Sequence, residues 1–247
     1  MNYLKISLFV LTIIGLQSAG CNERISKKTT GIPTSKYQNI PIDTTRRLVG
    51  PCEPSIFINP INTNQVVAGS VLNTVYWSED GGKTWENKGL KKTEHISKII
   101  VNPKNSDEIW VAAQGPLWSS GGERGLYKTS DGGNTWKLVL KSNKWTGVTD
   151  IVIDQRDEKT LYAATWQRHR NVAAYVGGGE GTALHKSIDG GETWNKLKNG
   201  LPESEMGKIG LAISPINPDI LYAAIELDRK KGAVYRSENK GASWTKM

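Results

Sequence analysis

Cysteine and histidine are both scarce in this chain. Its 247 residues include two cysteines, Cys21 and Cys52, so a framework of intramolecular disulfides is not expected. Of the three histidines, His95 and His185 have no partner at metal-ligand spacing, and we expect neither a metal site nor a cofactor. The fold must therefore be stabilised by an apolar core, which 37% hydrophobic residues and nine tryptophans allow.

Long apolar runs are absent as well. The run from Ile6 to Leu16 is too short for a stable membrane span, which needs about 20 apolar residues as a helix. Lys5 precedes the run and small residues follow it, a layout typical of a signal peptide over residues 1–21.

The end of that segment, Leu16-Gln-Ser-Ala-Gly-Cys21, resembles a bacterial lipobox. Ala19 and Gly20 fit the pattern, whereas Ser18 stands where an aliphatic residue is usual. The resemblance implies a lipidated Cys21 and an exported, membrane-anchored protein in the periplasm or at the cell surface. Ordinary signal cleavage, which would leave Cys21 unmodified, is the alternative.

The net charge of +8 is unevenly distributed. Residues 22–47 hold six basic and two acidic side chains, and the segment 22–54 has the polar composition of a flexible tether. Its charge favours an anionic lipid surface beside the anchor rather than nucleic acid, and we expect no nucleic-acid partner.

Four octapeptides recur along the chain, with their tryptophans 51, 58 and 50 residues apart. They resemble the Asp-box, or bacterial neuraminidase (BNR) repeat, Ser-x-Asp-x-Gly-x-Thr-Trp. An acidic residue before Gly-Gly predicts a tight hairpin turn, so a structural role is favoured over catalysis. The matching residues are Ser78, Asp80, Gly82, Thr84 and Trp85; Asp131, Gly133, Thr135 and Trp136; Ser187, Asp189, Gly191, Thr193 and Trp194; and, in a degenerate copy, Ser237, Asn239, Gly241 and Trp244.

Each repeat period predicts four antiparallel strands, with the Asp-box between the third and the fourth. Short apolar runs such as Leu161 to Thr165 predict a second strand buried on both faces. The fold class is therefore all-β, a β-propeller within residues 55–247. Its blades 1 to 4 cover about residues 55–90, 96–140, 148–197 and 209–247.

Alternation of the connections predicts two unlike faces. The Asp-boxes share one face, and the opposite face, here called the loop face, collects the loops of unequal length, where function tends to lie. Aromatic rings that stack on sugars and arginines that bind carboxylates predict a site for an extracellular glycan or polypeptide. The alternative is that these side chains only pack the loops. The candidates are Trp118, Arg124, Trp145, Trp166, Arg168, His169, Arg170 and Tyr175.

Further segments, such as Gly115 to Gly133, are similar to exported Asp-box propellers of the sortilin-like or glycosyl-hydrolase-like type. Sortilin receptors bind polypeptides, and xyloglucanases cleave β-glucans with paired aspartates, so the resemblance implies either ligand class. The alternative to a binding module is a glycoside hydrolase, xyloglucanase-like or related, that acts on a polysaccharide. A glycosidase needs two carboxyl groups about 5–10 Å apart, and Asp150 and Glu180 are the candidates on the loop face.

Relatives of this kind are much longer than 247 residues. No blade leaves a strand over with which the ends of the chain could interlock, so the sequence predicts an open or incomplete ring. Exposed blade edges favour pairing with a partner chain or self-association, and a truncated propeller is the other explanation.

Overall fold

Eighteen β-strands make up the regular structure of the residues that the computed structural model describes, which are 55–59, 61–69, 74–228 and 231–247. The signal peptide, Cys21 and the tether lie outside the described residues. The strands are β1 Ser55–Ile58, β2 Val66–Gly69, β3 Val75–Ser78, β4 Glu86–Asn87, β5 Ile96–Asn102, β6 Asn105–Ala113, β7 Gly125–Thr129, β8 Lys137–Leu140, β9 Thr146–Asp154, β10 Asp157–Gln167, β11 His169–Arg170, β12 Tyr175–Val176, β13 Ala183–Ser187, β14 Asn195–Leu197, β15 Ile209–Ile213, β16 Leu221–Ile225, β17 Ala233–Ser237 and β18 Thr245–Lys246.

Four antiparallel sheets of four strands each form the blades, and their strands are paired in chain order. Strands β11 and β12 form a separate two-stranded ribbon inserted into blade 3. The first strands of successive blades are neighbours, β1 beside β5, β5 beside β9 and β9 beside β15. The predicted propeller architecture is confirmed. No helix in the described part of the chain is long and apolar enough to span a membrane.

Strand lengths differ from the prediction mainly in blade 3. Strand β10 runs on to Gln167 because Trp166 pairs with Gly147 and Gln167 with Thr146. Trp166, which we predicted in a loop, is therefore a strand residue with only 7% of its surface exposed. The segment after it is not an open loop either, since the ribbon β11–β12 forms within it.

The apolar core consists of three layers, each between two successive blades. In the layer between blades 2 and 3, Trp110 and Leu126 of one sheet contact Ile151 and Leu161 of the next, and all four are fully buried. Burial of both sheet faces explains why the second strands are apolar along their length. Blades 2 and 3 thus each contribute one face to the layer before them and one to the layer after them, whereas blades 1 and 4 each contribute to one layer.

The Asp-boxes are closed hydrogen-bonded turns. In blade 3, the Ser187 hydroxyl donates to Asp189 Oδ1 at 2.7 Å and accepts the Gly191 N–H at 2.9 Å. The Thr193 hydroxyl and backbone N–H both donate to the Asp189 carboxylate, and these bonds hold its pKa well below the usual range. The carboxylate is therefore engaged in hydrogen bonds within its own turn.

The degenerate fourth box keeps the same geometry with an amide in place of the carboxylate. Asn239 Oδ1 accepts the Ser243 N–H at 2.9 Å, as the aspartates do in the other boxes. Its Nδ2 donates to Ser243 Oγ at 2.8 Å, whereas in the other boxes the threonine hydroxyl donates to the aspartate. The direction of this one hydrogen bond is reversed, because an amide nitrogen is a donor. The substitution preserves the turn without a charge.

A residue at one position of the second strand contacts the Asp-box of the following blade. Trp110 Nε1 donates to Gly190 O at 3.3 Å, and the Tyr162 hydroxyl donates to Lys240 O at 3.0 Å. Tyr222 holds the same position in blade 4, where 38% of its surface is exposed. Blade 4 therefore presents to solvent a face that blades 2 and 3 bury.

Candidate functional site

The loops between the second and third strands of blades 2 and 3 meet on the loop face through backbone hydrogen bonds. The Arg170 N–H donates to Leu117 O at 2.9 Å, which attaches the ribbon β11–β12 to the loop 114–124. The Gly121 N–H donates to Lys144 O at 2.9 Å and joins that loop to the link between the blades. The candidate residues of three separate segments are thereby held on one surface.

Arg124 lies beneath this surface rather than on it, with 5% of its surface exposed. Its guanidinium donates to the backbone carbonyls of Gln114 at 2.8 Å, Ser119 at 2.7 Å and Gly121 at 2.8 Å, and also to that of Pro116. Burial, with the neighbouring Arg168 second, lowers its pKa to about 10. Arg124 thus fixes the shape of the loop 114–124 from within.

Trp118, Arg170 and Tyr175 form the exposed part of the surface, here called the aromatic platform. The Arg170 guanidinium carbon lies 5.9 Å from the centre of the Trp118 ring and 5.1 Å from that of Tyr175. Trp118 is 62% exposed and Tyr175 48% exposed. Partial burial still raises the pKa of the Tyr175 hydroxyl, so the phenol stays neutral and able to donate a hydrogen bond.

Trp145 and His169 stack behind the platform, with ring centres 4.5 Å apart and planes inclined by 32°. The Nε1 of Trp166 donates to Gly177 O at 2.9 Å, and the guanidinium of Arg168 lies 5.3 Å from the centre of the Trp166 ring. Trp166 and Arg168 are buried, whereas Trp145 and His169 are half-buried.

The Gly-rich run 177–181 also serves packing. A side chain at Gly181 would lie 2.0 Å from Thr146 Oγ1, and one at Gly178 would lie 2.8 Å from Met206 O. Only glycine lets the loop approach these neighbours so closely.

Lys208 lies 5.6 Å from the centre of the Trp166 ring. The sequence did not predict this contact, because nothing in the pattern of the segment that carries Lys208 links it to blade 3.

The two carboxylate candidates occupy unlike environments. Asp150 lies in β9, where its carboxylate pairs with Lys98 Nζ at 2.8 Å and accepts the Leu211 N–H at 2.8 Å. It thereby connects blades 2, 3 and 4, and its oxygens are engaged in these contacts. Glu180 is exposed in the Gly-rich run. The described residues contain no group of three His, Cys, Asp or Glu that could hold a metal ion.

A shallow cleft of about 250 Å³ lies on the opposite side, between the Asp-boxes of blades 2 and 3. Lys128 crosses it and pairs with Glu108 and Glu192, both at 2.9 Å, while Lys137 pairs with Glu192 at 2.7 Å. The lysine and glutamate side chains of the cleft therefore pair with one another. The cleft therefore joins two blades and offers no chemistry that compares with the aromatic platform.

Residues 36–174 match the family model described as Sortilin-Vps10, sortilin, neurotensin receptor 3. The chain belongs to this family. Among curated proteins, a probable oligoxyloglucan-reducing end-specific xyloglucanase from Neosartorya fischeri is 27% identical over 104 residues, which are 40% of this chain and 10% of that protein. Xyloglucanase Xgh74A from Acetivibrio thermocellus is 24% identical over 150 residues, 56% of this chain and 16% of that protein. The chain spans a small part of these relatives.

Solved structures support the same fold. The GH74 xyloglucanase from Xanthomonas campestris superposes with a TM-score of 0.61 at 17% identity, over 78% of this chain and 29% of that one. A GH74 enzyme from Niastella koreensis gives 0.61 at 19% identity, over 77% and 28%. At this level of identity the likeness establishes the propeller fold, and function must be argued from the site.

Proposed function

We propose that this chain forms the polysaccharide-binding part of a propeller glycoside hydrolase that acts on a xyloglucan-type β-glucan. The aromatic platform carries the proposal, because Trp118 and Tyr175 expose flat rings on a surface fixed by a rigid scaffold. Curated relatives named as xyloglucanases support the choice of polysaccharide. The resemblance to glycoside hydrolases thus outweighs the first expectation, a binding module without enzymatic activity.

The chemistry of the platform suits a sugar chain. The apolar face of a pyranose ring stacks on an aromatic ring and displaces poorly ordered water, while its hydroxyls need polar partners at the edges. Arg170 supplies donors between the two rings, and the Tyr175 hydroxyl stands at the rim. Because Arg124 and the ribbon β11–β12 hold the platform in the free protein, little ordering cost remains on binding.

Replacing Trp118 with alanine is expected to weaken binding of xyloglucan oligosaccharides by at least about tenfold, or about 1.4 kcal/mol. The ring is 62% exposed, so its loss should leave the fold intact. Calorimetric titration of the purified protein measures the effect. Tyr222→Ala is the matched control, since it removes an exposed aromatic ring from blade 4. Equal affinity of the Trp118→Ala variant and the wild type would refute the site.

Binding without hydrolysis is a second candidate, favoured by the engagement of Asp150 with Lys98 and the Leu211 amide. Reducing-sugar release, measured in the same samples, separates the two functions. Release that disappears in Asp150→Asn or Glu180→Gln would establish hydrolysis with these carboxylates. Binding with no release would assign the chain to recognition alone.

We also propose that the protein is exported and held to a membrane by a lipid on Cys21, as the lipobox-like segment suggests. Cells that express the protein with labelled palmitate are expected to incorporate label in the wild type and none in Cys21→Ser, because the thiol is the attachment point. Cys52→Ser is the matched control and should retain the label. Label that persists in Cys21→Ser would disprove the anchor.

A further inference from the structure

Positive charge is concentrated among the aromatic rings of the loop face. Besides Arg170 on the platform, Arg124 lies 6.0 Å from the centre of the Trp145 ring. Arg168 lies 5.3 Å and Lys208 lies 5.6 Å from the centre of the Trp166 ring. Four cationic side chains thus lie against the rings that bring the loops together.

Two of these charges are buried under the surface. Arg124 and Arg168 are only 5% and 8% exposed, and the charge of Arg168 contributes to the lowered pKa of Arg124. Arg124 donates its hydrogen bonds to carbonyl oxygens, which satisfy the donors but carry no net charge. Glu94 opposes the repulsion by a smaller amount. The charges around Arg124 thus remain positive on balance, and a buried cation in such surroundings projects a positive potential towards the surface above it.

Arg170 is where this potential reaches the solvent. Within the described part of the chain, no carboxylate lies at ion-pair distance from its guanidinium. The rings of Trp118 and Tyr175 limit its rotation, and its backbone N–H is bound to Leu117 O. Its planar fork is therefore orientated before any ligand arrives, and such a fork is suited to bind a carboxylate through two parallel hydrogen bonds.

We infer that the loop face prefers a glycan that bears carboxylate groups, such as one containing uronic acid, and that Arg170 is the residue that selects it. A sugar ring on Trp118 or Tyr175 would place an equatorial carboxylate beside the guanidinium. This inference rests on the proposed glycan-binding function and narrows its ligand to β-glucans that carry carboxylate groups, which the aromatic platform should bind more tightly than neutral xyloglucan. Arg170 is a specificity residue in this scheme, not a catalytic one.

The test compares two probes on the purified full chain by calorimetric titration, oligogalacturonate and a neutral xyloglucan oligosaccharide of similar length. The wild type is expected to bind the acidic probe more tightly, and increasing salt should narrow the difference. Arg170→Gln should weaken binding of the acidic probe by about tenfold and binding of the neutral probe by less than about threefold. Arg170→Lys, which keeps the charge and loses the fork, should fall between Arg170→Gln and the wild type.

Arg236→Gln is the matched control, because Arg236 also lies over an aromatic ring, that of Tyr222, but is paired with Glu238 on blade 4. It should change neither affinity. If the protein binds the neutral probe more tightly than the acidic probe, and Arg170→Gln does not change this affinity, this inference is overturned and the proposed function stands. Failure to bind either glycan would refute both. Stronger Arg170-dependent binding of an oligoglutamate peptide than of oligogalacturonate would overturn it in favour of an acidic polypeptide.

Discussion

Replacing Trp110 with alanine is expected to lower the free energy of unfolding by about 3–5 kcal/mol, a large part of the stability of a typical domain. The side chain is fully buried in the layer between blades 2 and 3, where it contacts Leu126 and Leu161. Its Nε1 also donates to Gly190 O, so the Asp-box of blade 3 loses a contact to the preceding sheet. The variant leaves both a cavity and an unsatisfied carbonyl.

Urea unfolding followed by far-ultraviolet circular dichroism measures this loss without depending on tryptophan emission. Tyr222→Ala is the matched control, because Tyr222 occupies the corresponding position of blade 4 but is 38% exposed. We expect it to cost less than about 1 kcal/mol. Equal losses in the two variants would show that the stacking of blades contributes little to the stability of the protein.

The second large effect is on the pH dependence of stability and comes from His185 in β13. Burial, with the nearby charge of Lys196 second, lowers its pKa from 6.5 to about 4. Between these values the unfolded chain binds a proton that the folded chain excludes, so stability falls as the pH is lowered through this window. This loss of stability is absent above about pH 6.5 and amounts to about 3 kcal/mol by pH 4.

His185→Gln should remove this dependence. The free energy of unfolding of the wild type is expected to decrease by about 3 kcal/mol more than that of the variant between pH 7 and pH 4. Urea titrations across this range provide the measurement. The difference between the two proteins at pH 8, where His185 is neutral in both states, serves as the internal reference. Parallel curves of stability against pH for the two proteins would mean that His185 takes up a proton in the folded protein as readily as in the unfolded chain.

The repeats made the architecture predictable. An Asp-box needs only contacts within its own eight residues, such as those between Ser187, Asp189 and Thr193, so its geometry is encoded locally. The apolar second strands likewise indicated burial on both faces, which the burial of the adjacent residues Leu161 and Tyr162 confirms for blade 3. The fourth box lacks the aspartate but keeps the geometry of the turn, because Asn239 supplies the same acceptor.

The site was less predictable, because the exposure of a loop residue depends on segments that are distant in sequence. The eight candidates all lie in or beside the converging loops, but Arg124 and Trp166 are buried, and they contact the distant residues Trp145 and Lys208 respectively. The ribbon that carries Arg170 and Tyr175 is held by two residue pairs and by the bond to Leu117 in another blade. Whether these residues bind a ligand remains the prediction tested above.

The sequence by itself determined the repeat, the four-stranded blade and the division into two unlike faces, since each follows from turn chemistry and the alternation of short apolar strands. It also determined the features of residues 1–54, which predict export and a lipid anchor. Tertiary structure decided which rings and guanidinium groups meet solvent. Close packing of the loops on one another and on the blades buried Trp166 and Arg124 and left Trp118, Arg170 and Tyr175 exposed, and that selection depends on tertiary contacts that no local pattern records.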